Sequence, residues 1–463
     1  MVKRLQDAQF TGPFCTEASN EKGGDRSMRM KWISGFILLA VLCGGVTWAQ
    51  ETQAPLTLED GIKIAIERSL VLHSAMTGVL GSRFKQKQAM TNFLPTWGGQ
   101  YSYSRYDSPV TVGVTQAAGL GGPLSSQDVF NLNTSVTQPI FTGGANLANY
   151  RIQTLGVDIS KTHVESAKRD IAFQVRTGYF TILRTLKLRD VAEQTVKQFN
   201  AQLEVAKAFF DVGIVAKNDV LQAEVSVANS RQTLVRAEND LAVAKSSFNT
   251  LLRRDVNIPF TVVDILEYKA FALSFEESLQ EALRQRQEIK NAELAIRQAQ
   301  ENVKIARSGF FPTVSISGNY TRFSEGVALS GDITSDRLTF QTLATFTLWN
   351  WGNTAYKVGE SKVQVSQAQD AKGEILDSIT LEVKQGYLNM LTAEKNIFTA
   401  QKAVEQAEEN LRMNEERYKY QVATATDVLI AVTLLEQTRT NYYSALADFN
   451  IAKAQLERAM GRV

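Results

Sequence analysis

The sequence matches itself, and that repeat restricts the fold more than any motif in it. Leu56-Thr57-Leu58-Glu59-Asp60 resembles Leu273-Ser274-Phe275-Glu276-Glu277, and Phe93-Leu94-Pro95-Thr96 resembles Phe310-Phe311-Pro312-Thr313, both at an offset of 217. Val175-Arg176-Thr177-Gly178-Tyr179 resembles Val383-Lys384-Gln385-Gly386-Tyr387, and Asp219-Val220-Leu221 resembles Asp427-Val428-Leu429. Asp240 and Lys245 match Asp448 and Lys453, and these later pairs share an offset of 208. One insertion of nine residues between Thr96 and Ile140 reconciles the two offsets. Both halves must therefore build the same unit.

Each unit has the same order of elements. A helical stretch comes first, over 57–92 and 274–309, and proline ends it at Pro95 and Pro312, because proline lacks an amide donor and clashes with the preceding turn. Two short alternating segments follow, around a Gly- and Ser-rich loop. A very long helix is predicted over 143–211 and 352–419, then a break, then a further helix over 218–253 and 427–460. The long stretch would span ~100 Å and each shorter one ~54 Å at 1.5 Å per residue, lengths that suit a tube of helices better than a globule. A free-standing coiled coil is the plainer alternative. The chain divides as 1–49 (leader), 50–253 (first repeat), 254–273 (linker) and 274–463 (second repeat).

The alternating segments decide the class. Phe130, Leu132, Thr134 and Val136 alternate with Asn131, Asn133, Ser135 and Thr137. Val314, Ile316 and Tyr320 alternate with Ser315, Ser317, Asn319 and Thr321, and over 339–348 Phe340, Ala344, Phe346 and Leu348 alternate with Thr339, Gln341, Thr345 and Thr347. A weaker segment carries Tyr101 and Tyr103. Period-two patterning makes one face apolar and the other polar, as in a membrane β-strand of about ten residues; a half-buried sheet in a soluble domain fits the pattern equally. If the strands do cross a membrane, four cannot close a barrel, since about eight are needed. An open edge in lipid would leave amides unpaired at several kcal/mol each. Chains would then have to share a barrel, two giving eight strands and three giving twelve.

The amino terminus favours export. Arg29 and Lys31 precede an apolar run from Trp32 to Val46, and Thr47-Trp48-Ala49 offers a cleavage site, the layout of a secretory signal peptide. The run is short for a transmembrane helix, which needs about 18 apolar residues. Translation could begin at Met28 or Met30. Cleavage after Ala49 removes six basic and four acidic residues, leaves the two signs equal at 44 each, and discards Cys15 and Cys43, the only cysteines. The exported chain would rely on packing or oligomerisation, not disulfides, and its charge balance gives no footprint for nucleic acid.

With these features the sequence resembles the TolC-like outer-membrane efflux protein family. The likeness rests on the Phe-Leu-Pro-Thr and Phe-Phe-Pro-Thr strand starts, on Gln138-Pro139-Ile140-Phe141-Thr142-Gly143-Gly144 and Leu348-Trp349-Asn350-Trp351-Gly352, and on the duplicated Gly-Tyr pairs and Asp-Val-Leu triplets. It covers 56–463. The resemblance implies a mostly α-helical homotrimer with four strands per chain. Its twelve-stranded transmembrane β-barrel would sit in the outer membrane of a Gram-negative bacterium, continued by a long α-helical barrel into the periplasm. It implies a passive exit duct for tripartite efflux or type I secretion, partnered by a periplasmic adaptor and an inner-membrane pump, with no cofactor and no covalent chemistry. A periplasmic adaptor or coiled-coil scaffold is the alternative, although it would not need four amphipathic strands. A single-chain porin would need more strands and less helix.

The same resemblance assigns candidate sites. The breaks at 212–218 and 420–426 become periplasmic tips, with Val212, Gly213 and Ile214 in one adaptor-contact turn and Tyr420, Gln421 and Val422 in the other. Gln421 stands where the family has glycine, so the second turn is expected to differ in shape. Asp427 matches the acidic ring of the pore gate, with Tyr418, Asn218 and Asp219 at further gate positions; Ile430 and Ala423 stand where a second aspartate and an arginine are usual. For Asp219 and Asp427 helix N-capping is the plainer role, worth about 1 kcal/mol each. Trp97, Phe141, Trp349 and Trp351 cluster where strands meet helices, which fits either a membrane boundary or ordinary packing. His73 and His163 lack metal-ligand spacing, Gly119-Leu120-Gly121-Gly122 lacks the lysine of a phosphate loop, and no nucleophile constellation is present.

Overall fold

The computed structural model describes residues 55–112, 124–324, 327, 329 and 334–462. The signal peptide and Gly119-Leu120-Gly121-Gly122 lie outside the described residues. Twelve elements follow in order: α1 (Leu58–Arg68), α2 (Leu70–Thr91), β1 (Thr96–Val112), β2 (Leu124–Thr142), α3 (Ala145–Asp211), α4 (Lys217–Leu251), α5 (Phe275–Gln285), α6 (Gln287–Ser308), β3 (Thr313–Ser324), β4 (Thr334–Thr345), α7 (Asn353–Lys419) and α8 (Ala425–Ala459). The second six repeat the first six. α3 and α7 each have 67 residues, while α4 and α8 each have 35.

Three expectations need correction. The stretch 57–92 is not one helix: Ser69 adopts an extended backbone between α1 and α2, and its hydroxyl accepts from the Leu72 amide as N-cap of α2. The stretch 274–309 breaks likewise at Arg286. There the guanidinium donates to the Ala459 carbonyl (3.3 Å) and to Glu382 (2.7 Å), partners that are distant in sequence. Finally, β4 stops at Thr345, so Phe346 and Leu348 lie in the link to α7.

α3 packs against α1, α2, α4, α6 and α8, with α1 meeting it at mid-length beside Val175; α7 packs against α5, α6 and α8. Three apolar clusters hold these layers. One unites Phe199, Leu203, Val227, Leu411, Val428 and Val432 at the far ends of α3, α4, α7 and α8. A second surrounds Tyr179 and Phe248, and a third surrounds Phe449 and Met390. The Tyr179 hydroxyl donates to the Val263 carbonyl (2.8 Å), with the Leu56 carbonyl at 3.0 Å, and so ties the start of the first repeat to the linker. Polar rungs join α3 to α8: Asp170 to Arg458 (2.7 Å), Glu457 to Arg176 (2.6 Å) and Gln194 to Arg439 (2.9 Å).

The strands form one antiparallel sheet in the order β1-β2-β3-β4. Its register sorts the two faces. Trp97 pairs with Val136, Tyr101 with Leu132, and Tyr103 with Phe130; Tyr320 pairs with Leu338 and Gly318 with Phe340. The other face carries Ser102, Asn131, Asn133, Ser135, Ser317, Asn319 and Gln341. On the edge strands the apolar face is open: Trp97 is 81% exposed, Phe340 78% and Leu338 65%, while along β1 the polar-face residues Ser102 and Ser104 between the exposed tyrosines are half-buried. A soluble sheet would bury the apolar side. This sheet turns it outward, as a lipid-facing wall does.

Candidate functional site

The two helical tips share one backbone design. After α3, Gly213 takes a left-handed φ of +79°, the Gly213 amide donates to the Phe210 carbonyl (2.9 Å), and the Ile214 amide reaches back to the Phe209 carbonyl (2.8 Å). After α7, Gln421 takes φ +61°, its amide donates to the Tyr418 carbonyl (3.0 Å), and the Val422 amide donates to the Arg417 carbonyl (2.8 Å). Both are helix C-terminal turns closed by a six-to-one bond. The second turn therefore does not differ in shape, despite lacking the glycine; Gln421 carries the strained angle instead. Val212, Ile214, Tyr420 and Val422 are exposed around these turns.

The helices leaving the tips start differently. α8 begins with a capping box: the Thr424 hydroxyl accepts from the Asp427 amide (3.2 Å), and the Asp427 carboxylate accepts from the Thr424 amide and hydroxyl, each at 2.8 Å. The Thr424 backbone amide, then its hydroxyl, then the Arg417 charge hold the Asp427 carboxyl below the usual carboxylate range. α4 begins at Ala216 with no side-chain cap, and Asp219 sits in its first turn. Neither aspartate is thus the N-cap residue: Asp427 is the return partner of Thr424, and Asp219 lies in the first turn of α4, near the positive end of the helix dipole.

Tyr418 is 4% exposed and lies inside the chain, its ring 5.4 Å from that of Phe209. Its hydroxyl is enclosed and finds no hydrogen-bond partner among the described residues; burial first, and Asp219 second, push its pKa up. Tyr418 and Asp219 are therefore neighbours, whereas Asn218, Asp427 and Ile430 are exposed. One contact was missed in the sequence: the Thr426 hydroxyl donates to the Gln222 side-chain carbonyl (2.9 Å) and joins α8 to α4 at the tip. The Thr424-x-x-Asp427 spacing is a local signal that could have identified Thr424 as the cap, but nothing local announces a partner 204 residues away.

At the opposite end, Trp97 lies at the start of β1, Phe141 lies at the end of β2, and Trp349 and Trp351 lie between β4 and α7, all of them exposed. The Trp97 indole donates to the Thr134 hydroxyl (2.7 Å), and Trp349 and Trp351 meet edge to face at 5.8 Å. Gly144 and Gly352 cap α3 and α7 in left-handed conformations. Before them, Gly143 and its counterpart Trp351 also have positive φ, +62° and +55°. A side chain at Gly143 would meet the Ser308 carbonyl at 2.6 Å, whereas Trp351 is 84% exposed. No described group of His, Cys, Asp and Glu could hold a metal ion.

A lipid-facing sheet and long paired helices in duplicate agree with the comparison to known proteins. The profile described as outer membrane efflux protein matches residues 62–252 and 278–462, one copy on each repeat. The chain belongs to the outer membrane efflux protein family. It is therefore an outer-membrane efflux channel of the Gram-negative envelope and a transport protein, not an enzyme. Outer membrane efflux protein BepC of Brucella suis is 20% identical over 429 residues, which is 92% of this chain and 90% of BepC. In fold the chain is similar to CusC, with a TM-score of 0.75 and 17% identity over 88% of this chain and 92% of CusC. It is similar also to VceC of Vibrio cholerae, with a TM-score of 0.72 and 18% identity over 88% of this chain and 96% of VceC.

Proposed function

We propose that three copies of this chain close one twelve-stranded barrel and form a passive exit duct. Its helical tips would meet a periplasmic adaptor and, through it, an inner-membrane pump. The observation that carries this reading is the sheet itself: β1 and β4 are unpaired edges, and the exposed face is apolar. In lipid those edges must pair, and four strands cannot pair with themselves. CusC, similar in fold, changes conformation on folding and transmembrane channel formation, which supports the same assignment here.

In this duct Asp427, Tyr418, Asn218 and Asp219 belong to the periplasmic gate, with Asp427 facing the passage and Tyr418 packing the gate from within each chain. Val212, Gly213, Ile214, Tyr420, Gln421 and Val422 form the adaptor-contact turns. Trp97, Phe141, Trp349 and Trp351 mark the inner boundary of the membrane. The test is the protein mass of the detergent-purified complex by light scattering, with detergent subtracted. Three chains per particle are expected; a detergent-independent monomer would overturn the shared barrel. On reconstituted channels, Asp427→Asn should reduce cation selectivity, and an unchanged reversal potential in a salt gradient would remove Asp427 from the passage.

A further inference from the structure

We propose that Arg337 makes the membrane section of the duct selective for anionic solutes, a role that rests on the shared barrel proposed above. The register places it. Gln100 pairs with Asn133, Asn133 with Thr321, and Thr321 with Arg337, so one row of polar side chains crosses all four strands and ends on this arginine. The row lies on the polar face, opposite the apolar face that carries Tyr101, Tyr320 and Leu338.

Along the paired register of that face, Arg337 is the one charge among the described residues; the remainder are Ser, Thr, Asn, Gln, Gly and a few apolar side chains. Asp107 falls in the irregular stretch of β1 between Arg105 and Val110, outside the register. The other charges of the paired strands lie on the apolar face and are matched there: Arg105 with Asp128 (3.8 Å) and Arg322 with Asp336 (3.6 Å). Asp336 is therefore engaged across the sheet from its neighbour. Arg337 is exposed and makes no ion pair with any described residue.

Three chains would bring three such guanidiniums to one height in a membrane section whose described paired register is otherwise neutral. A twelve-stranded barrel has a backbone radius of about 12 Å from strand spacing and tilt. Inward-pointing arginines then lie within the Debye length of ~10 Å at 0.1 M salt of anything on the axis. Rings of arginine or lysine favour anions in pores. At this width the effect is a bias on passing carboxylate, sulfate or phosphate groups, and not a block.

The test is the reversal potential of the full-length trimer in planar bilayers under a KCl gradient. Arg337→Gln should lower the chloride-to-potassium permeability ratio about twofold, as expected for loss of a screened charge ring, while Arg337→Lys should keep it. Asp427→Asn should move the ratio the opposite way. Because the only cysteines are Cys15 and Cys43, Arg337→Cys gives a single addressable thiol in the processed chain. A cationic methanethiosulfonate should restore the ratio there, and an anionic one should depress it further. Wild-type ratios in Arg337→Gln and in both adducts would overturn the proposal. A wild-type protein that forms no channel would instead defeat the duct reading beneath it.

Discussion

Gln421 is the residue at which sequence and backbone conflict most openly. It holds φ +61°, where its counterpart Gly213 holds +79° at no steric cost, and an L-residue in the left-handed region loses roughly 1–2 kcal/mol. Gln421→Gly should therefore stabilise each chain by about 1 kcal/mol and raise the thermal midpoint of the assembled protein; a lower midpoint would mean that the glutamine side chain makes a compensating contact. Asp427 yields a pH prediction. Its native carboxyl lies below the unfolded value of 3.8, with the Thr424 amide as the leading cause. A depressed native pKa gives stability that is complete above the unfolded value and is lost as pH falls through the native one. Hydrogen exchange of the Thr424 and Asp427 amides should thus be slower in wild type than in Asp427→Asn above the unfolded value, with the difference vanishing as pH falls through the depressed native value. A difference that persists in acid would show that the cap does not depend on the charged carboxylate.

The duplicated Gly-Tyr pairs show how one sequence signal serves two different packings. A Cβ on Gly178 would sit 2.9 Å from the buried Phe248 ring, whereas on Gly386 it would meet Leu456 only at 3.5 Å or more. Gly178→Ala should cost roughly 1–3 kcal/mol through overpacking, while Gly386→Ala should be neutral or stabilising, since alanine is favoured over glycine in helices by up to about 1 kcal/mol. Equal losses of thermal stability in the two variants would refute this distinction. The long helices were legible because their pattern runs for 67 residues and ends at Gly or at a tip turn. The breaks at Ser69 and Arg286 were not, because no proline or glycine occupies either position and Arg286 is held by Glu382 and the Ala459 carbonyl from the end of the chain. In the sheet, the alternation fixed which residues share a face but not which face is buried; that needed the register and the exposure of Trp97, Leu338 and Phe340. At the tip, Asp427 reads in the sequence as a helix N-cap, whereas Thr424 three residues earlier is the cap and Asp427 its return partner. The burial of Tyr418 and the Thr426–Gln222 bond were not legible, since they depend on α3, α4, α7 and α8 meeting in space.

The distribution of tryptophan makes the placement of the whole molecule in its membrane testable. Of the five tryptophans, Trp32 and Trp48 lie in the leader, so the exported chain keeps Trp97, Trp349 and Trp351. All three are exposed at the junction between sheet and helices, and none lies in the middle of a strand or along a helix. Indole rings favour the level where acyl chains meet headgroups, so ordinary junction packing and a membrane boundary predict different environments. If the junction is the periplasmic boundary, lipids brominated near the headgroup end of the acyl chain should quench the emission most strongly, and lipids brominated near the chain terminus should quench it weakly. Each single-tryptophan variant, with the other two replaced by phenylalanine, should then report the same shallow depth. Strongest quenching by the deepest bromines would place the junction inside the hydrocarbon, and absence of quenching would place it in water. Either result would move the boundary away from the aromatic cluster and require the apolar face of β1–β4 to be aligned differently in the bilayer.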